Sequence, residues 1–154
     1  MKTENVRIAD NQQERLKLSW WIVGFTDGEG CFSVSIFKNK TSRLEWQVMP
    51  EFVITQSATS LSSLRIAQKF FDCGRIFINK RYDNHKKHIY RYCVRNRQDI
   101  NQTIVPFFMQ HRLMTAKQHS FDIFCQAMQL INQGKHLTKH GLHEIALLTG
   151  KSLV

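Results

Sequence analysis

The sequence predicts an α+β fold: one antiparallel four-stranded sheet with helices packed on a single face. Two patterns in the chain and one feature of its composition predict it. Apolar periodicity runs in the order helix, strand, strand, helix, strand, strand, helix, helix. Each pair of strands is joined by a short polar turn, the arrangement of hairpins covered on one side and open on the other. At 154 residues, with 42% apolar residues that include 11 Phe, the chain can fill one core, and a disordered chain is excluded.

The first helix carries Leu16, Leu18, Trp20, Trp21, Ile22, Val23 and Phe25 and is apolar nearly all round, so it must be buried on more than one side. Residues 1–13 are polar and read as a flexible N-terminal arm, with residues 14–154 as the single domain. Gly24 and Gly28 lie four apart on one face, where they allow another backbone to come close. Glu29 falls where the helix ends, beside Gly30. A carboxylate at the negative end of a helix dipole is badly placed for stability and calls for a cation.

After Gly30 the period becomes two. Phe32, Val34 and Ile36 point one way, and Ser33, Ser35 and Phe37 the other. A basic turn, Lys38 to Arg43, leads to a second strand from about Glu45 to Gln56, where Pro50 argues for a bulge or an edge position. Helical spacing returns from Leu61 to Cys73. Arg75 to Tyr82 reads as the third strand, with Ile76 and Ile78 inward, and Ile89 to Arg95 as the fourth, of ambiguous facing. Helices follow over Gln98–Gln110, interrupted by Pro106, then over Thr115–Asn132 and Thr138–Leu148.

Charge points to the partner. The 22 Lys and Arg outnumber the 12 Asp and Glu, for a net +10, which favours a polyanion. Between Arg75 and Arg97 stand Arg75, Lys80, Arg81, Lys86, Lys87, Arg91, Arg95 and Arg97 against Asp83 alone. Cys31, Cys73, Cys93 and Cys125 are scattered and read as small buried residues of a reducing compartment, neither a zinc site nor a disulfide framework. His136, His140 and His143 are too loosely spaced for a metal site and read as a polar helix face, while His85 and His88 suit a phosphate contact or none. No apolar run approaches a membrane span and no secretion signal is evident, so an intracellular location, in a bacterial cytoplasm or an organelle, is expected.

The ordered string Gly24-Phe25-Thr26-Asp27-Gly28-Glu29-Gly30, led by Trp20 and Trp21, resembles the signature helix of the LAGLIDADG homing endonucleases, and the downstream layout extends that resemblance over roughly residues 16–150. The resemblance implies the αββαββα fold with a DNA-binding saddle. It also implies a two-fold helix pair and a site-specific, intron-encoded endonuclease that hydrolyses both strands of a long target. One copy of the signature per sequence implies a homodimer, with Trp20, Trp21, Val23, Gly24, Asp27 and Gly28 at the interface. Glu29 is the expected metal ligand with the Gly28 carbonyl beside it; hard oxygen donors suit Mg2+, with Mn2+ as substitute and Ca2+ binding without cleavage. Gln56 matches the family's water-ordering glutamine, and Lys117, with Arg112 in reserve, its basic residue near the scissile phosphate. Ser60 stands where some relatives carry a further base, leaving that role vacant or to Arg65.

A two-stranded ribbon fits the major groove of double-stranded DNA. By parity Ser33, Ser35, Asn39, Gln47, Arg75, Asn79, Arg81 and Arg91 face it as base readers, with Lys38, Lys40, Lys86 and Lys87 on phosphates. The alternatives are a maturase-like RNA-binding protein on the same fold and a DNA-binding regulator. RNA binding alone would not require Glu29 and Gln56.

Overall fold

The computed structural model describes residues 2–80 and 88–153. Helix α1 (Lys2–Glu29) leads directly into β1 (Gly30–Lys38), which forms a hairpin with β2 (Trp46–Ser57). Helix α2 (Leu61–Phe71) crosses to a second hairpin, β3 (Arg75–Asn79) and β4 (Ile89–Val94). The chain then closes with α3 (Arg97–Asp99), α4 (Val105–Gln110), α5 (Lys117–Asn132) and α6 (Lys139–Leu148). All strand pairs are antiparallel in the order β1-β2-β4-β3, so β2 and β4 are central. This is the α+β architecture that the sequence predicts.

The side-chain period of two divides the sheet. Even-numbered residues face the helices: Phe32, Val34, Val48, Phe52, Ile54, Tyr92 and Val94 are all buried there. Phe32 stacks on Phe52 at 5.0 Å between ring centroids and meets Phe108 and Phe121 edge-on at 5.2 and 5.0 Å. Offset and edge-to-face pairs of this kind add to the burial of area itself. The facing of β4, ambiguous in the sequence, is settled by Tyr92 and Val94, which are fully buried, with the Tyr92 hydroxyl donating to the Cys73 carbonyl at 2.9 Å.

Several expectations change. The segment read as a loose arm, residues 1–13, is helical from Lys2 onward; it holds neither Gly nor Pro and is rich in good helix formers. Val23, expected at a dimer interface, is 2% exposed and lies in the chain's own core beside Ile22. Ile78 keeps the inward parity of Ile76 but is 45% exposed near the end of the edge strand β3. Cys31 is exposed, whereas Cys93 is buried and Cys73 and Cys125 are partly buried. The helix is interrupted just ahead of Pro106, as expected. The chain passes from α3 to α4 through a π turn over Ile100–Ile104, in which the Val105 amide donates to the Ile100 carbonyl, and Pro106 sits at the start of α4 where its missing N–H is tolerated. Pro50 pairs with Val34 but lies beyond the end of the β2–β4 ladder, the edge-like place expected for it.

Arg81, Lys86 and Lys87, together with the turn expected at Asp83, Asn84 and His85, lie outside the described residues. Among the described residues no helix is long and apolar enough to cross a membrane.

Candidate functional site

The end of α1 is built by two helix termini that meet. Asp27 accepts from the Met114 amide at 2.8 Å, the Thr115 amide at 3.2 Å and the Thr115 hydroxyl at 2.7 Å. Its carboxylate thereby caps the segment that opens α5, where the helix dipole favours negative charge. Two residues on, the Lys117 ammonium returns the contact and donates to the Thr26 carbonyl at 3.1 Å. A cation thus stands at the negative end of α1, which answers part of the electrostatic problem posed by Glu29. Of the two basic candidates the structure brings Lys117 to this helix end, whereas Arg112 is exposed on the approach to α5.

Glu29 and Gly28 are both exposed at this terminus. The chain turns sharply into β1 at Gly30, where a Cβ would lie 2.6 Å from Thr26 Cγ2 and 2.9 Å from the Thr26 carbonyl oxygen. Gly30 pairs with Ile54, so half-buried Gln56 sits two residues past that pair, at the same end of the sheet as Glu29. The donors here are hard oxygens, a carboxylate and the carbonyls of a last helical turn, which suit a divalent metal. Among the described residues no group of three His, Cys, Asp or Glu converges.

The outer face of α1 is open. Leu16, Trp20, Gly24 and Gly28 follow at intervals of four, with Leu16 52% and Trp20 51% exposed. A Cβ added at Gly24 or Gly28 would meet nothing within 4 Å. Trp21 is exposed beside this stripe and stacks on Phe25 at 4.9 Å. Asp27, grouped with these residues from the sequence, is instead committed to the 114–115 segment of its own chain.

The uncovered sheet face carries the odd-numbered residues. Arg75 and Asn79 are exposed and Ser33, Ser35 and Arg91 half-buried, while Lys38, at the last position of β1, and Lys40, in the turn that follows, are exposed at the hairpin end. Asn39 donates to the Gln47 side-chain oxygen at 2.7 Å and accepts from the Thr41 amide and hydroxyl at 3.1 and 2.7 Å, so part of its hydrogen-bonding capacity shapes the turn. The Lys38 ammonium lies 5.6 Å from the Trp46 ring centroid.

The sequence profile of the LAGLIDADG endonucleases matches residues 22–128. The chain belongs to that family. A probable intron-encoded endonuclease 2 of Neurospora crassa is 33% identical over 125 residues, 81% of this chain and 27% of the relative. A probable intron-encoded DNA endonuclease 1 of Mycosarcoma maydis is 28% identical, over 77% of this chain and 41% of the relative. The chain thus spans well under half the length of these curated relatives. Among solved structures, the homing endonuclease I-TnaI is 35% identical with a TM-score of 0.76, and the match covers 88% of both chains. The meganuclease I-SmaMI bound to uncleaveable DNA is 29% identical with a TM-score of 0.79, over 86% of this chain and 43% of that one.

Within the LAGLIDADG frame, Glu51 on the open face escaped the sequence reading, and Arg95 entered it only as one base of the second hairpin's cluster. Glu51, 6% exposed, accepts from Arg91 at 3.0 Å and from the Arg95 Nε. Arg95 also lies over Phe77, 5.6 Å from the ring centroid. The signal was present: Glu51 is an acid at odd parity in an otherwise apolar and neutral strand, and Arg95 shares the parity of Arg91. At the other end of the molecule His136 hydrogen-bonds Arg97 at 3.0 Å; burial, and then the Arg97 charge, hold its imidazole below its ordinary pKa, which marks a structural histidine. Burial likewise raises the thiols of Cys73 and Cys93 and pushes that of Cys125 up to about 11, so they stay protonated.

Proposed function

We propose that this protein is a homing endonuclease that hydrolyses both strands of double-stranded DNA as a two-fold pair of chains. The observation that carries the reading is the end of α1: an exposed Glu29 beside an open glycine face, with Lys117 held at the same helix terminus. Two helices packed through Leu16, Trp20, Gly24 and Gly28 would bring two Glu29 carboxylates together, each completing the donor set that one chain leaves half-built. A homodimer is supported by the match to I-TnaI, which spans most of both chains. The net charge of +10 and the basic open face supply the attraction for DNA, and the DNA-bound I-SmaMI shares the fold.

Glu29 and the Gly28 carbonyl would hold magnesium, which when bound supplies an acidified water and neutralises charge at the phosphate. Manganese would substitute, and calcium would bind without supporting cleavage. The Gln56 amide, at the neighbouring strand end, would orient water by hydrogen bonds. Lys117, anchored to the Thr26 carbonyl, would offer its remaining ammonium protons to the phosphate oxygens, where negative charge grows in the transition state. On the sheet, Arg75, Asn79, Arg81 and Arg91 would read base edges with Ser33, Ser35, Asn39 and Gln47. Lys38, Lys40, Lys86 and Lys87 would hold phosphates, which position without specifying.

Glu29→Gln tests the reading. The probe is a duplex selected from a randomised pool, assayed in parallel by gel shift and by plasmid cleavage. Binding is expected to persist, because the substitution removes a carboxylate near phosphates, while magnesium-dependent cutting falls by orders of magnitude. Full cutting by the variant would refute the mechanism. Loss of binding together with cutting would show that Glu29 holds the fold.

A further inference from the structure

Glu51 sits at the centre of the open sheet face, on the central strand β2, where it pairs with Ser33 of β1 and approaches β4 from the other side. An acid there opposes the binding of a polyanion, and its 6% exposure adds the cost of desolvating a charge. Its two oxygens are divided between two guanidiniums: Arg91 donates through Nη2 to Oε1, and Arg95 through Nε to Oε2. Those arginine side chains remain 36% and 44% exposed, while the Glu51 side chain is 8% exposed beneath them. Arg95 is fixed from a second side by the Phe77 ring. A guanidinium held through Nε keeps both of its Nη groups for a bidentate contact, the geometry that reads guanine O6 and N7. A flexible arginine would have to be ordered on binding; here the Glu51 ion pairs, and for Arg95 the Phe77 ring as well, restrain the side chains before DNA arrives.

We infer that Glu51 is a positioning residue for base readout, presetting Arg91 and Arg95 as a rigid pair on the DNA-binding face so that Glu51 contributes sequence discrimination at the expense of raw affinity. This rests on the nuclease reading above and extends it to the source of selectivity. Glu51 itself touches no base; it acts through the two arginines, and removing it frees them to reach phosphates on any sequence.

The full chain in calcium is used to select a duplex from a randomised pool, and affinities are then measured for that duplex, its single-base-pair variants and unselected duplex across a salt series. Glu51→Gln keeps the shape but can accept through one oxygen only. It is expected to lower discrimination by about tenfold at one or two base pairs in each half-site, with binding to unselected duplex equal or tighter and the salt slope unchanged. In an Arg91→Lys/Arg95→Lys background, Glu51→Gln should change the discrimination no further. Should Glu51→Gln fail to fold, Glu51→Asp, which keeps the charge but draws it back by one methylene, must show the same relaxed preference at the same base pairs. Unaltered discrimination in the folded variant, or an equal loss in the double-lysine background, would overturn the inference and leave Glu51 as a stabilising ion pair. A wild-type protein that leaves the pool unbound at every salt concentration would instead overturn the nuclease reading beneath it.

Discussion

Replacing Asp27 by Asn isolates what the middle of the signature helix end does. The carboxylate accepts three hydrogen bonds, one through Oδ2 and two through Oδ1, all from Met114 and Thr115. An amide can accept on one side only, so in either orientation a donor on the 114–115 segment faces an N–H group. Hydrogen bonds to a charged acceptor contribute about 1.5–3 kcal/mol each and neutral ones about 0.5–1.5 kcal/mol. The lower ends of those ranges sum to about 3.5 kcal/mol for one lost bond and two weakened ones, and because the contacts are open to solvent, where water replaces part of each, the net cost falls to about 1–2 kcal/mol. For a chain of this size that lowers the melting temperature by about 2–8 °C. Thermal and urea unfolding of the two proteins measure it, and cleavage at a temperature well below both transitions should fall as well, since Lys117 stands two residues from Thr115 and is placed by the same segment. An unchanged melting temperature would refute the capping role. Lost metal-dependent cleavage with no loss of stability would move Asp27 from the scaffold to the metal.

Gly24→Leu should leave the isolated fold intact, since a Cβ there meets nothing within 4 Å, yet shift sedimentation from two chains to one by blocking helix approach. A dimer of undiminished affinity would contradict the packing face. Gly30→Ala should cost about 1–3 kcal/mol, because its methyl group is driven into Thr26 at the helix-to-strand corner; equilibrium unfolding reads the loss. His136 should titrate below its ordinary value in a proton NMR titration. Its folded-state pKa is depressed, so the stability it contributes is complete above about 6.5 and is lost as the pH falls toward the folded value. His136→Asn should flatten that limb of the stability curve.

The elements of the fold were readable because each has a period of its own. Alternation in β1 and β2, and spacings of three and four in α2, α5 and α6, report directly which residues must leave water. What failed was context that one element cannot carry. Parity places Ile78 on the inward face, but whether it is buried there depends on its position at the end of an edge strand, and nothing in Arg75–Asn79 encodes that. Whether residues 1–13 form a loose arm depends on whether helix propagates backward from a stable segment; polarity argues for an arm, propensity for helix, and in the structure the helix runs on to Lys2. Pro106, by contrast, was legible from its local cost: the α-helical pattern gives way to a π turn over Ile100–Ile104 and resumes at Val105, with Pro106 in the first turn where its missing N–H is tolerated.

The site divides along the same line. Glu29 and Gly28 were nameable because an ordered string fixes them at one helix end, and Gln56 only through the family resemblance, at a strand end that the β1–β2 register brings to the same end of the sheet. Lys117 was nameable only as a residue ahead of a helix; its contact with Thr26 spans ninety-one positions and depends on Asp27 drawing the 114–115 segment against α1. Val23 shows the converse error. On an all-apolar helix every position looks equally fit for an interface, and the fold alone decides which side it consumes: Ile22 and Val23 go to the core, while Leu16, Trp20, Gly24 and Gly28 are left open. Glu51 was passed over for a related reason. A single acid counts for little in a composition dominated by base, yet buried between two arginines it fixes the direction of both. Charge balance points to the kind of partner, whereas discrimination among sequences depends on which guanidiniums are held still, and that is a property of pairs formed across strands.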